Sequence, residues 1–279
     1  MNRFFAIIIS VFLVSISSCK NSDRDLDTGT DASHDLWVAT NQFSNIIREI
    51  HKVAIVDSIL NGVDTAFAIA PETCMDTMFR FPDAGPFPID LVLLYTDTLV
   101  CDTTRERTGQ IRAKFSGRYT DYGTTIKIST DSFGVAGVFF TGNIIMKMEA
   151  KSVDTIIYSI NVIDGKLIDT KKVGNNVSLW DGNFTWYQYA GRTTVTAIDD
   201  DFRFTGFGDG MAQNGVIYSY TTNSHLELQA DCEYESSGNL TLVSTNRQNR
   251  VLDFGNGNCD NKLVVSIPPV NGSHEVTIR

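Results

Sequence analysis

From about residue 63 to its end the chain alternates apolar and polar side chains. Ile111, Ala113 and Phe115 interleave with Gln110, Arg112, Lys114 and Ser116, and Ile126 and Ile128 bracket Lys127. Leu226 and Leu228, then Leu263, Val265 and Ile267, then Val276 and Ile278 keep the same rule. Successive side chains of a strand point to opposite faces, so this period marks strands with one dry and one wet face, the habit of antiparallel sheets. Turn formers punctuate the pattern: Asp121-Tyr122-Gly123, Asp164-Gly165, Gly174-Asn175-Asn176, Asp181-Gly182, Asp209-Gly210, Asn214-Gly215, Ser237-Gly238-Asn239, Asn256-Gly257-Asn258 and Asn271-Gly272. Segments 135–148, 153–163 and 176–189 read as long or double strands. The expected class is therefore mainly all-β: an antiparallel meander over residues 63–279, forming a curved sheet or sandwich.

Residues 33–62 break the rule. Phe43, Ile46, Ile47, Ile50, Val53 and Ala54 recur every three or four positions, which predicts one amphipathic helix. Ser33 is the expected N-cap and Asn61-Gly62 the expected stop. A single apolar face implies that this helix packs on the sheet that follows. His34 and His51 fall in it and are expected to be surface or packing residues.

The N-terminus constrains location rather than fold. Arg3 precedes an apolar stretch from Phe4 to Ile16, too short for an ordinary span and followed by small residues, which predicts a signal peptide over 1–18. The tetrapeptide Ile16-Ser17-Ser18-Cys19 resembles the lipobox of bacterial lipoproteins. That resemblance implies cleavage before Cys19, acylation of Cys19 and attachment to a membrane by several acyl chains. Residues 19–32 are polar and Asp-rich and read as a flexible tether; their acidic residues loosely resemble surface-export signals of Bacteroidota-type lipoproteins. The expected location is the outer membrane of the cell envelope, on its periplasmic or its surface side. The net charge of −10 argues against nucleic acid as a partner. No later apolar run is long enough for a second span.

Beyond Cys19 the chain holds Cys74, Cys101, Cys232 and Cys259, an even number in an exported protein. This reads as disulfides rather than a metal site, because no CxxC or nearby histidine accompanies them. Equal spacings and the following Asp102 and Asp260 favour the pairs Cys74–Cys101 and Cys232–Cys259. The same spacing suggests two related halves, 63–190 and 191–279.

Two motifs carry a family resemblance. Gly109-Gln110-Ile111 with Phe115-Ser116-Gly117-Arg118-Tyr119 and Tyr122-Gly123 is similar to a G-x-I…F-x-G-x-Y-x-D-x-G stretch of a group of uncharacterised Bacteroidota-type exported lipoproteins. Val251-Leu252-Asp253-Phe254-Gly255-Asn256-Gly257-Asn258-Cys259-Asp260-Asn261 resembles their L-D-[YF]-G-x-G-x-C-D-N. The resemblance implies an exported β-rich lipoprotein and carries over no catalytic residue. Tyr95-Thr96-Asp97-Thr98-Leu99-Val100 departs from the FG-x-G-type loop of that group.

Four other features bear on chemistry. Asp253, Asn256, Asn258 and Asp260 gather oxygens as a calcium loop would, but without EF-hand spacing, so a tight hairpin is the favoured reading. Asp199-Asp200-Asp201 offers paired carboxylates, yet neighbours on a strand point apart, so a solvated loop is expected. Trp180, Phe184, Trp186, Tyr187 and Tyr189 form an aromatic band, with Tyr187 and Tyr189 on the face opposite Phe184 and Trp186. An exposed row could stack on sugars, while sheet packing is the plainer reading. Tripeptides of the form Asp-Ser/Thr followed by an apolar residue or Thr, among them those starting at Asp57, Asp64, Asp76, Asp97, Asp102 and Asp154, resemble the O-glycosylation motif of Bacteroidota-type exported proteins. His225 and His274 lie in alternating segments. No hydrolase triad, zincin or nucleotide motif occurs and no cofactor is implied.

The expected function is a lipid-anchored, non-catalytic binding or structural module, with a glycan or envelope-protein partner. The alternatives are a polysaccharide-binding or -processing surface lipoprotein, and a carrier of an apolar ligand in a half-barrel lidded by the helix.

Overall fold

The computed structural model describes residues 29–62, 75–96 and 105–278, apart from positions 84, 193, 195, 246 and 269–271. The expected signal peptide, Cys19, residues 20–28 of the tether, Cys74 and Cys101 lie outside the described residues; the last two tether residues, Asp31 and Ala32, belong instead to the first helix. Helix α1 spans Asp31–Val56 and a short helix α2 spans Ser58–Asn61. The strands are β1 Thr77–Phe81, β2 Ile89–Tyr95, β3 Arg107–Phe115, β4 Thr125–Val135, β5 Val138–Lys151, β6 Ile156–Asp169 and β7 Val177–Gln188. They continue as β8 Phe202–Met211, β9 Ile217–Thr222, β10 Leu226–Leu228, β11 Ser237–Ser244, β12 Arg250–Asn256, β13 Lys262–Ser266 and β14 Ser273–Thr277.

All strands join one antiparallel sheet in which chain neighbours are sheet neighbours. The one irregularity is that β9 and β10 share a place between β8 and β11. Residues Phe207–Met211 of β8 pair with β9, and Phe202–Phe204 pair with β10. Pairing continues from β7 to β8 along the register Leu179↔Met211 to Gln188↔Phe202, so the two suggested halves share one sheet. The disulfide Cys232–Cys259 closes the base of the β11–β12 hairpin, with Cα atoms 5.4 Å apart.

Several turn signals have other uses. Asp181-Gly182 and Asp209-Gly210 lie inside β7 and β8, and Asp164-Gly165 marks a register shift inside β6. Their glycines serve packing instead of reversal. The inward side of β8 runs Phe202, Phe204, Gly206, Gly208, Gly210. A Cβ on Gly208 would sit 2.1 Å from the Asp181 carbonyl oxygen and 2.7 Å from the Tyr220 hydroxyl. Bare backbone there lets Phe184, Tyr218 and Tyr220 lie across the strand and the sheet curve tightly. Asn271 lies outside the described residues; the other signals fall at strand ends.

The sheet curves around α1. Side chains of the helix meet β2 (Tyr95–Glu49), β4 (Gln42 to the Val135 carbonyl), β7 and β8 (Phe43 with Trp186 and Phe204) and β12 (Trp37 with Phe254). Among its residues only Asp31, His34, Val38, Lys52 and Val56 escape burial, and these fall along one line. The expected N-cap, Ser33, is instead a buried residue within the first turn; Thr30 precedes the helix and makes no side-chain cap. The end is better defined. Asp57 Oδ1 accepts from the backbone of Ile59 (2.8 Å) and Leu60 (3.0 Å) to start α2, and Gly62 closes it at φ 72°.

Candidate functional site

The apolar half of α1 completes the core. Phe43 stacks on Phe184 at 4.8 Å and meets Trp186 edge-on at 5.8 Å, and Trp186 stacks on Phe204 at 5.1 Å. Trp180 and Trp186 are each 1 % exposed. They are core residues, so no sugar can stack on them. The space where a half-barrel would hold an apolar ligand is occupied by these rings.

The opposite half of α1 is polar and also covered. Glu49 accepts from the Tyr95 hydroxyl at 2.9 Å and from Lys52 Nζ at 3.1 Å, and Arg107 Nε lies 3.7 Å away. Arg107 reaches Glu233 at 3.0 Å. Burial pushes the Arg107 guanidinium down, but Glu49 and Glu233 outweigh it and hold the value above the usual arginine one. Arg48 donates to the carbonyls of Cys232 and Ala230, the second at 2.7 Å. Burial lowers the Arg48 pKa, with only partial compensation from Glu49. Nearer the N-terminus, Glu235 accepts from Trp37 Nε1 (3.1 Å), Ser44 Oγ (3.1 Å) and Asn41 Nδ2 (3.5 Å). Its burial outweighs these donors and raises its pKa.

Two cavities open on this polar half. One of ≈ 260 Å³ is bounded by Arg48, Glu49, Lys52, Arg107 and Glu233 together with the 196–198 and 230–231 segments. The other, ≈ 440 Å³, lies near His34, Asn41, Arg105, Asp169 and Asn261. Reading the helix as one-faced missed both. Its polar residues at helical spacing look alike whether they meet water or a facing Arg and Glu from distant strands.

The Asp199–Asp201 loop is not simply solvated. Asp200 is 1 % exposed and accepts from Gln188 Nε2 at 2.9 Å, while its other oxygen lies 2.6 Å from His51 Nε2. His51 Nδ1 is 2.9 Å from the Tyr119 hydroxyl. Asp201 accepts from the backbone of Ala230 at 2.9 Å, and Asp199 from Thr194 Oγ1 at 2.8 Å. Asp-Asp-Asp reads as a solvated loop because neighbours on a strand point apart; a histidine on a distant helix removes the middle one from water. The His51–Asp200–Tyr119 set resembles a catalytic arrangement in composition but is sealed from solvent, and it ties α1 to the sheet.

The outer face of the sheet carries the other grouping. Tyr187 and Tyr189 are half-buried there, with Arg203 Cζ 5.7 Å and 5.3 Å from their ring centres. His225, exposed, meets Tyr187 edge-on at 5.5 Å. Partial burial, then Glu227 and Asp201, raise the Tyr189 pKa. Cross-strand pairing extends this patch into rows. Ser159, Thr185 and Thr205 are register partners, as are Asn161, Asn183, Phe207, Thr221 and Thr241. Asn161 Nδ2 donates to Asn183 Oδ1 at 2.6 Å, and Asn223 to Asn239 and Thr241 at 3.0 Å each. Phe207 is 59 % exposed above a groove walled by Asn183, Thr185, Thr205 and Thr221.

The remaining predicted residues are dispersed. Asp253 and Asp260 accept from the backbone of Gly255 (2.9 Å) and Lys262 (3.0 Å), and so shape their own hairpin; Asn256 and Asn258 are exposed on it. No set of three or more His, Cys, Asp or Glu among the described residues could hold a metal. His274 is half-buried in β14, and His34 lies 3.4 Å from Asp35. Of the Asp-Ser/Thr tripeptides, Thr77 is exposed, Ser58 and Thr155 are half-buried, and those at Asp64, Asp97 and Asp102 lie outside the described residues. No described helix is long and apolar enough to cross a membrane. Comparison with protein-family models, with curated proteins and with solved structures finds no match for this chain.

Proposed function

We propose that this chain is a lipid-anchored, non-catalytic binding module of the cell envelope, held at the outer membrane through Cys19, that takes a glycan on the outer face of its sheet. The supporting observation is the row Asn161–Asn183–Phe207–Thr221–Thr241, with Tyr187 further along the same face of β7, beyond the Thr185–Thr205 pair. Sugars present apolar C–H faces and a fringe of hydroxyls. Aromatic side chains complement the first, and amides and hydroxyls, which donate and accept, complement the second. The row itself is uncharged, which avoids the cost of desolvating charges against a neutral polymer. Of the carboxylates on this face, Glu227 accepts from Ser237 Oγ at 3.1 Å and Asp201 from Ala230 N, while Asp181 and Asp209 are register partners one same-face step from Asn183 and Phe207.

Electrophoresis of the detergent-purified full chain through gels containing neutral polysaccharides tests this reading. The chain is expected to be retarded by at least one polymer, and Tyr187→Ala and Phe207→Ala to restore its mobility. Unchanged mobility in every polymer would sink the glycan reading. The anchor is tested separately: fatty-acid labelling is expected for the wild type and lost in Cys19→Ala.

A further inference from the structure

The ≈ 260 Å³ cavity beside α1 is distinct from the outer sheet face, and its lining has a definite charge pattern. Three cations, Arg48, Lys52 and Arg107, face three carboxylates, Glu49, Asp231 and Glu233. Lys52 and Arg107 are ion-paired, at 3.1 Å to Glu49 and 3.0 Å to Glu233. Arg48 is different. Its guanidinium bonds only to backbone carbonyls, and no carboxylate of the described residues lies within ion-pair distance. A guanidinium has five N–H donors, so this buried cation retains capacity for an anion. Asp231, exposed on the rim, lies between the two residues whose carbonyls accept from Arg48, and Glu233 is half-buried. Ala197, Ala230 and Ile198 complete the lining, the last a 64 % exposed apolar side chain at the mouth.

We infer that this cavity binds a small zwitterion with an apolar body, an α-amino acid such as leucine, carboxylate towards Arg48 and Lys52 and ammonium towards Glu233 and Asp231. The lining's charges cancel, so a ligand of net charge would leave one charge uncompensated in a poorly solvated space, whereas a zwitterion does not. The apolar body would cover Ile198 and the two alanines, removing apolar surface from water. Size permits it: at about 30 Å³ per water the cavity equals about nine waters in volume, enough to admit a molecule of leucine's nine heavy atoms.

Titration calorimetry of the full chain in detergent with L-leucine, N-acetyl-L-leucine and L-leucinamide tests the inference. Binding of L-leucine is expected, weakened at least tenfold by blocking either end. Ala197→Trp, which fills the cavity, should abolish it, and Asp231→Lys, a rim change that leaves the core untouched, should weaken it severalfold. Both variants should keep the outer-face polysaccharide retardation, which separates this site from that one. Absence of L-leucine binding, equal binding of the blocked forms, or undiminished binding to Asp231→Lys would overturn it.

Discussion

On one side of α1, Phe43 lies among Phe184, Trp186 and Phe204; on the other, Glu49 lies among Tyr95, Lys52 and Arg107. Both sides are buried, but what each tolerates differs. Apolar contacts are non-directional and degrade with the volume lost. Charged contacts are conditional: each buried charge is tolerable only while its partner stays, and deleting one strands the other. One helix therefore carries a continuous stabilising surface and a discontinuous, specifying one.

The largest expected effect is on the apolar side. Ile47→Asp places a carboxylate where the side chain is 1 % exposed, and should cost more than about 4 kcal/mol and abolish cooperative melting. A normal melt would show that this side is not packed. On the polar side, Glu49→Ala leaves Arg107 and the Tyr95 hydroxyl without their shared acceptor and should cost about 3–5 kcal/mol by chemical denaturation. Replacing Glu49 by Leu together with Arg107 by Met should recover much of that loss. A double variant as weak as Glu49→Ala would mean that the charges themselves, not their pairing, hold this side together.

Cys232→Ser releases the loop whose Ala230 and Cys232 carbonyls accept from Arg48. With cysteines 27 residues apart, about 3–4 kcal/mol should be lost by the chain-entropy estimate. An unchanged unfolding midpoint would show that the loop is held by Arg48 alone. Glu235→Gln should be nearly neutral, within about 1 kcal/mol, because an amide can accept from Trp37 and Asn41 and donate to Ser44. The sign of its pH dependence follows from the raised folded value. Glu235 contributes stability below its ordinary value of 4.5 and loses it as pH rises, so the Gln variant should gain on the wild type from pH 4 towards pH 8. Melting temperatures that fall equally at every pH would refute this. The smallest effect belongs to the outer face: Thr205→Ala should move stability by no more than about 0.5 kcal/mol while weakening polysaccharide retardation.

Much of the fold was legible from local patterning. The alternation at 111–116 and 263–267 became β3 and β13, and the three- and four-residue spacing of Phe43, Ile46, Ile47 and Ile50 became the core side of α1. Less was legible at the sites. Trp186 and Tyr187 are adjacent, and alternation places them on opposite faces without saying which face is inward. The curvature that sends Trp186 onto Phe43 decides it. Asp181-Gly182 and Asp209-Gly210 look like reversals, yet both stay in strand because Tyr218 and Tyr220 need bare backbone beneath them.

By itself the sequence determined what depends on neighbours along the chain: strand period, helix period, the stop at Gly62 and a cysteine pair spaced to bridge one hairpin. Only the tertiary structure decided what depends on partners far along the chain. His51 meets Asp200, Glu49 meets Arg107, and Arg48 meets the carbonyls of the loop at Cys232. A polar residue at a helical position has the same local sequence signature whether water or another side chain completes it. Which of the two does so is settled by how far the sheet curls around the helix, a property of all its strands together.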